Sequence, residues 1–209
     1  MASRNLGRSI KPADAQHLAR IHRRAFPGFF LAKLGEPFLV QFYRGFVAEP
    51  TSVVSVYRDE DGAPIGVAVG TTNPDGFFRQ LLRRRFWGFV GASIQATIKD
   101  PKVAPRLLGA VRYRGDNPPG REGALLSSIC VDPAHEGTGV GRAVLEDWAR
   151  AARESGCEFA FLTTDAVGND AVNAWYARGG WTLSDQFVAH GGRRMNRYQR
   201  DLRTLDVAQ

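Results

Sequence analysis

Two hydrophobic periods run along this chain, and the switches between them mark its elements. In "DAQHLARIHRRAF", residues 14–26, Leu18, Ile21 and Ala25 recur at helical spacing, and Asp14 after Pro12 is placed to cap the first turn. Residues 35–49, "GEPFLVQFYRGFVAE", repeat the pattern with Phe38, Leu39, Phe42, Tyr43 and Phe46. "TSVVSVYR" and "APIGVAVGTT" then read as two strands of an antiparallel hairpin, joined by the turn "DEDG".

Past residue 123 strands and helices alternate. "ALLSSICV" is a strand, and a glycine-rich turn leads into a helix from about 139 to 155 with Val144, Leu145, Trp148 and Ala152 as its apolar stripe. "CEFAFLTT" is the next strand, "NDAVNAWYARGG" a short helix, and "WTLSDQFVAH" and "RMNRYQRDL" two closing strands. The pattern is that of an α/β (α+β) chain. Nothing repeats and no linker divides it, so residues 1–209 are expected to form a single domain.

Composition narrows the class. With 209 residues, 44% of them hydrophobic, the chain can bury a sizeable core. Its two cysteines, Cys130 and Cys157, form neither a disulfide framework nor a CxxC pair. The start "MASRNLGRSIKPADAQ" has no apolar signal region, and no segment reaches the roughly 18 apolar residues of a membrane span. A cytoplasmic protein with free thiols is the expectation.

The formal charge of +7 points to an anionic partner, and most of the excess lies in one block. Residues 73–122 carry ten basic and four acidic side chains. Within this insert "FFRQLLRRRFWGFVGASIQATI" reads as helical and "RYRGDNPPGREG" as a loop; a connection this long is usually functional. Its arginines, mixed with Phe86, Trp87 and Phe89, suit an anionic acceptor or a peripheral contact with an acidic membrane surface. A solvated helical hairpin covering the sheet edge is the plainer alternative and stays open. No nucleic-acid recognition motif accompanies the charge, so no specific nucleic-acid partner is expected.

The chemistry concentrates in "CVDPAHEGTGVGRAVLEDWARAA", residues 130–152, where Gly137, Gly139 and Gly141 stand at the mouth of a helix. The first amides of a helix lack internal partners and carry the positive end of its dipole, so they bind anions. Glycines let a bulky anion approach and permit positive φ. A phosphate or pyrophosphate site is implied. The spacing fits neither a Walker A loop, which ends in Gly-Lys-Ser/Thr, nor a dinucleotide G-x-G-x-x-G fingerprint.

At these residues the sequence resembles the GNAT superfamily of acyl-CoA-dependent N-acyltransferases. The family's stretch is a strand ending in V-x-P and then Q/R-x-x-G-x-G/A; Val131, Pro133, Gly139 and Gly141 match it, together with the extra Gly137 and the following Arg142. Glu136 departs from it, standing at the Gln/Arg position. Downstream, "NDAVNAWYARGGW" is similar to the family's N-x-x-A-x-x-L-Y-x-x-x-G-F segment, with Asn169, Tyr176, Gly180 and Trp181 in register. A looser resemblance, in "AFPGFFLAKLGEPFLVQFYRGF", is to GNAT proteins of surface-polysaccharide and amino-sugar synthesis.

The resemblance implies a mixed, mostly antiparallel sheet of about seven strands, splayed between strands 4 and 5 and flanked by helices. Acetyl-CoA would lie in the gap as cosubstrate. Its pantetheine arm would pair with backbone at Ile129, Cys130 and Val131, and its pyrophosphate would sit on the amides of Gly137, Thr138, Gly139, Val140, Gly141 and Arg142. Tyr176 resembles the family's general acid, since a phenol of pKa about 10 can protonate the departing thiolate. Asn169 would cap the short helix and touch the cofactor.

The implied activity is N-acetyl transfer to a primary amine, a small molecule such as an amino sugar. A non-catalytic module that holds CoA or an anionic surface through the basic insert is the other class. Glu36, His22, Asp116 and Glu122 are candidate general bases, and spacing singles out none. His135 and His190 lack ligand spacing, and "HEGTG" is not HExxH, so no metal is expected.

Overall fold

The computed structural model describes residues 5–29, 32, 34–47, 49–75, 77, 83, 88, 123–189 and 192–205. Its sheet has seven strands in the order β1-β2-β3-β4-β5-β7-β6. They are β1 (Leu6–Gly7), β2 (Ser52–Arg58), β3 (Pro64–Thr71), β4 (Ala124–Val131), β5 (Phe159–Asp165), β6 (Thr182–Val188) and β7 (Arg194–Asp201). The β4–β5 pair is parallel and every other pair is antiparallel. Four helices can be bounded among the described residues: α1 (Asp14–Ala25), α2 (Glu36–Gly45), α3 (Val140–Glu154) and α4 (Asp170–Arg178).

The two apolar stripes expected for the first helices meet one another. Leu18 and Ile21 of α1 pack with Phe42 and Tyr43 of α2 over Val54, Val56, Val67, Val69 and Cys130. The opposite face is closed by α3, whose Val144, Leu145, Trp148 and Ala152 pack on Val53, Ala68, Leu126 and Leu162, with Tyr176 of α4 in the same cluster. Covered on both sides, β3 is buried at every residue, which is why "PIGVAVGT" reads as an unbroken apolar run. Trp148 is anchored there by its indole N–H, which donates to the Val53 carbonyl at 3.0 Å.

Two details differ from expectation. Asp14 is the first helical residue, with Ala13 at the cap position and no side-chain cap. Its carboxylate instead accepts the Lys11 N–H at 2.8 Å and pairs with Arg58 at 2.6 Å, tying the helix start to β2. And β1 is a two-residue strand, paired Leu6 to Tyr57 and Gly7 to Val56, too short to leave a period in the sequence. Of the basic insert only Asn73 to Asp75, Phe77, Arg83 and Gly88 are described; the remaining expectations for 73–122 lie outside the described residues. Among the described residues no helix is long and apolar enough to cross a membrane.

Candidate active site

The sheet opens between β4 and β5. These strands pair only at Ala124 with Ala160 and at Leu125 with Phe161; beyond that point β4 continues against β3 alone and β5 against β7 alone. Ile129, Cys130 and Val131 therefore lie on a stretch of β4 with one edge unpaired among the described residues. Side chains contribute little there. Cys130 points into the α1/α2 core, where burial pushes its thiol up to about 12, too high for a nucleophile at neutral pH. What this edge offers a ligand is backbone.

At the end of β4 the chain makes a short 3-10 turn, Pro133–His135, and runs into α3. Asp132 starts the turn by accepting the Ala134 N–H at 3.1 Å, while Arg24 from α1 binds its other oxygen at 2.6 Å. The Thr138 hydroxyl donates to the His135 carbonyl at 2.6 Å and so tightens the loop. Gly137 and Gly139 have φ of 77° and 88°, values that favour glycine, and a Cβ on either would meet nothing within 4 Å. The glycines are needed for backbone shape, and among the described residues the space above them is open. Glu136 is exposed beside this space.

The first helical bond of α3 runs from the Ala143 N–H to the Gly139 carbonyl at 3.0 Å. The amides of Val140, Gly141 and Arg142 precede it, no side chain caps them, and no acidic residue occupies the first turn. This end can hold an anion. The guanidinium of Arg142 turns away from it: it donates to the Arg178 carbonyl at 3.1 Å and pairs with Glu146 at 3.5 Å. Glu146 also takes Arg200 at 2.9 Å, which links α3 to β7. Arg142 can thus serve the loop with its backbone amide but not with its charge.

Tyr176 stands on α4 beside the opening, 6% exposed, with its ring against Trp175, Trp181 and Tyr198. Among the described residues its hydroxyl makes no hydrogen bond. Burial pushes its pKa well above the ordinary phenol value, so it keeps its proton at neutral pH and can act as a donor. Asn169 holds the cap position of α4 but does not cap it; its amide reaches back to the Thr164 hydroxyl at 2.8 Å and the Asp165 carbonyl at 3.3 Å. It splices the helix start to the end of β5. Asn173 repeats the contact, donating to the Asp165 carbonyl at 3.0 Å.

Of the candidate bases, Glu36 is held on the protein's outside by Arg20 and Arg23 at 3.2 and 3.3 Å. Asp116 and Glu122 lie outside the described residues, as does His190, which the sequence did not single out as a metal ligand. His22 is buried under Phe26, Phe42 and Tyr43, and this burial lowers its pKa to about 4. Sequence reasoning passed over Ser127 and Ser128. Ser127 is the extra residue of a bulge, for the pairing passes from Val69–Ser128 to Gly70–Leu126, and its buried hydroxyl has no partner among the described residues. The available signal was a pair of polar residues in an otherwise apolar buried strand.

The model of the acetyltransferase (GNAT) family matches residues 15–181. The chain belongs to this family. It is accordingly an acyltransferase, and the open β4–β5 joint and seven-stranded sheet are those of the GNAT fold. No curated protein matches the chain. Among solved structures it is similar to a protein assigned to the GNAT family from Desulfovibrio desulfuricans, at 16% identity over 94% of this chain and 98% of that one, with a TM-score of 0.62. It is also similar to a chimera of the spermidine N-acetyltransferase SpeG from Vibrio cholerae and hSSAT, at 11% identity over 95% and 96% of the chains, with a TM-score of 0.61. The ribosomal-protein-S18-alanine N-acetyltransferase from Escherichia coli aligns at 15% identity over 98% and 95%, with a TM-score of 0.57. Proteins named for a polyamine and for a protein alanine share the GNAT fold with this chain, so the fold does not name the acceptor.

Proposed function

We propose that this acetyltransferase moves the acetyl group of acetyl-CoA to the primary amine of a small molecule, by direct attack within a ternary complex. The observation that carries the reading is the alignment of two open features: the unpaired edge of β4 ends where the uncapped amides of α3 begin. In this reading the edge from Ile129 to Val131 takes the pantetheine arm as a further strand, and the amides from Gly137 to Arg142 take the pyrophosphate. The open space over Gly137 and Gly139 and the absence of acidic residues in the first turn suit such an anion.

The amine nitrogen attacks the thioester carbonyl, the carbon–sulfur bond breaks, and Tyr176 gives the sulfur its proton. One amine proton leaves to solvent, from which Tyr176 is recharged. Free amine and thioester thus become amide and thiol with no net proton change. Asn169 acts by fixing the start of α4, and through it Tyr176. We assign the acceptor to the amino sugars, since the chain's formal charge of +7 disfavours polyamines.

Calorimetric titration with acetyl-CoA, followed by thiol release against amino sugars, nucleotide-linked amino sugars, polyamines and peptides, tests the reading. Binding with turnover on one sugar class is expected, and Tyr176→Phe should keep the affinity for acetyl-CoA while losing most of kcat. Absence of binding would refute the site, and full turnover by Tyr176→Phe would refute the acid.

A further inference from the structure

The apolar grip on α4 is slight. Of its nine residues only Tyr176 is buried, with its ring 5.9 Å from that of Tyr198 on β7. One such contact leaves a short helix free to slide along the sheet, whereas a general acid needs its oxygen within about 3 Å of the atom it protonates. A second line of contacts runs beside the first. Asn169, Asn173 and Tyr176 fall at helical spacing on one face of α4, as Asn196 and Tyr198 fall two apart on one face of β7. Asn173 meets Asn196 at 2.8 Å, and Asn196, 6% exposed, meets Gln186 of β6 at 2.7 Å.

These three amides have one consistent orientation. Asn173 Nδ2 lies 3.0 Å from the Asp165 carbonyl and 2.8 Å from the Asn169 carbonyl, and carbonyls only accept, so this end of the amide is the nitrogen. Its oxygen is thereby turned to β7 and accepts from Asn196 Nδ2, and the Asn196 oxygen in turn accepts from Gln186 Nε2. No member can turn round alone without setting two acceptors face to face. The Asp165 carbonyl, at the end of β5, is the anchor, since it accepts from Asn169 as well, at 3.3 Å.

We propose that Asn173 and Asn196 are positioning residues for the acid: with Gln186 behind them they pin α4 to β5 and β7 and so set where Tyr176 stands against the donor sulfur. The proposal rests on the acetyltransferase reading above, in which Tyr176 gives that sulfur its proton. A shifted helix would leave a buried amide unpaired away from water, so the polar line resists displacement. Two rings can slide over one another at far lower cost.

Hydrogen exchange, read by mass spectrometry on peptides of α4, tests the anchor without substrate. Asn196→Leu and Asn173→Ala should each speed exchange in α4 about tenfold and leave α3 as in wild type; unchanged exchange in α4 overturns the proposal. Asn173→Ala, at a half-buried position, carries the test if Asn196→Leu does not fold. Thiol release is then followed with whichever amine of the classes named above the wild-type protein uses best. Both variants should lower kcat about tenfold, with affinity for acetyl-CoA and KM for the amine within about twofold of wild type. In a Tyr176→Phe background neither should lower kcat further, because both act through that hydroxyl. Asn196→Asp, which keeps the acceptor and loses the donor, should fall as far as Asn196→Leu. Wild-type kcat in Asn196→Asp, a full further loss in the Tyr176→Phe background, or weakened acetyl-CoA binding in place of lowered kcat overturns this proposal while leaving the acetyltransferase reading intact. Failure of the wild-type protein to release thiol with any of those amines overturns both.

Discussion

Gly139→Ala isolates what the turn before α3 contributes through backbone shape alone. Gly139 sits at the helix cap with φ 88° and ψ −7°, and a methyl group there would meet no atom within 4 Å. Crowding is therefore absent, and the cost is that of an L-residue in the left-handed region, roughly 1–2 kcal/mol. The smaller entropy of the unfolded chain returns about 0.4–1 kcal/mol of it to global stability, but that term does not enter ligand binding. If the turn relieves its strain by relaxing, the amides of Val140, Gly141 and Arg142 swing off a common target, and affinity falls by roughly 5- to 30-fold at tenfold per 1.4 kcal/mol. Gly141→Ala is the internal control. Gly141 lies inside α3 without positive φ, and its added methyl would rest 3.4 Å from Val131 Cγ2 and 3.6 Å from Trp175 Cζ2, ordinary contact distances. Its affinity should stay within about twofold of wild type. Calorimetric titration with acetyl-CoA, beside thermal unfolding, measures both. Equal affinities for Gly139→Ala and wild type, or a larger loss at Gly141 than at Gly139, would refute the assignment of this turn as a shaped anion seat.

Three further outcomes are expected. His22 has its pKa lowered by burial from 6.5 to about 4, so the unfolded chain binds a proton in that window that the native state refuses. The resulting stability is full above about pH 6.5 and is lost as pH falls toward 4, by roughly 3 kcal/mol; urea titrations across that range should show the decline, and a flat profile in His22→Asn. Gly70→Ala should destabilise by about 1–3 kcal/mol or more, because its methyl would lie 2.2 Å from the Leu125 carbonyl oxygen and 2.5 Å from Trp148 Cζ2; a wild-type melting temperature would contradict the tight contact of β3 with Trp148. Glu146→Ala removes the partner of both Arg142 and Arg200 and should cost about 1 kcal/mol, less in high salt, read from denaturant midpoints at two ionic strengths.

The parts of the fold that were legible are those whose signal is local. The boundaries of β4 follow from "ALLSSICV" to the residue, and α1 from its apolar stripe to within one, because each carries its own period. Gly137 and Gly139 could be read because a required φ constrains residue type. Side-chain destinations could not. Asn169 has the identity and the place of a cap, yet its amide goes back to β5; Arg142 precedes a run of amides suited to an anion, yet its charge goes to Arg178 and Glu146. In both cases a partner from another element, the end of β5 for Asn169 and the Arg178 carbonyl of α4 for Arg142, won over the local option. The bulge is hidden because one extra serine in a short strand disturbs the period no more than a polar substitution would. The His22–Tyr43–Cys130 contacts join residues 21 and 87 positions apart, a distance over which no pattern in the chain carries information.

The joint between β4 and β5 is also a gauge. Where the strands pair, at Ala124 and Leu125, they stand about 4.8 Å apart, the width of one ladder. To admit an extended chain between them the separation must double to about 10 Å. A wedge closed at one end therefore sorts what enters it by thickness. A thin, flexible arm can advance toward the apex, while a ring system or a branched head must stop at the wide end, beside Val131 and the start of α3. On the proposed reading, how far a donor reaches into the gap is set by its own cross-section.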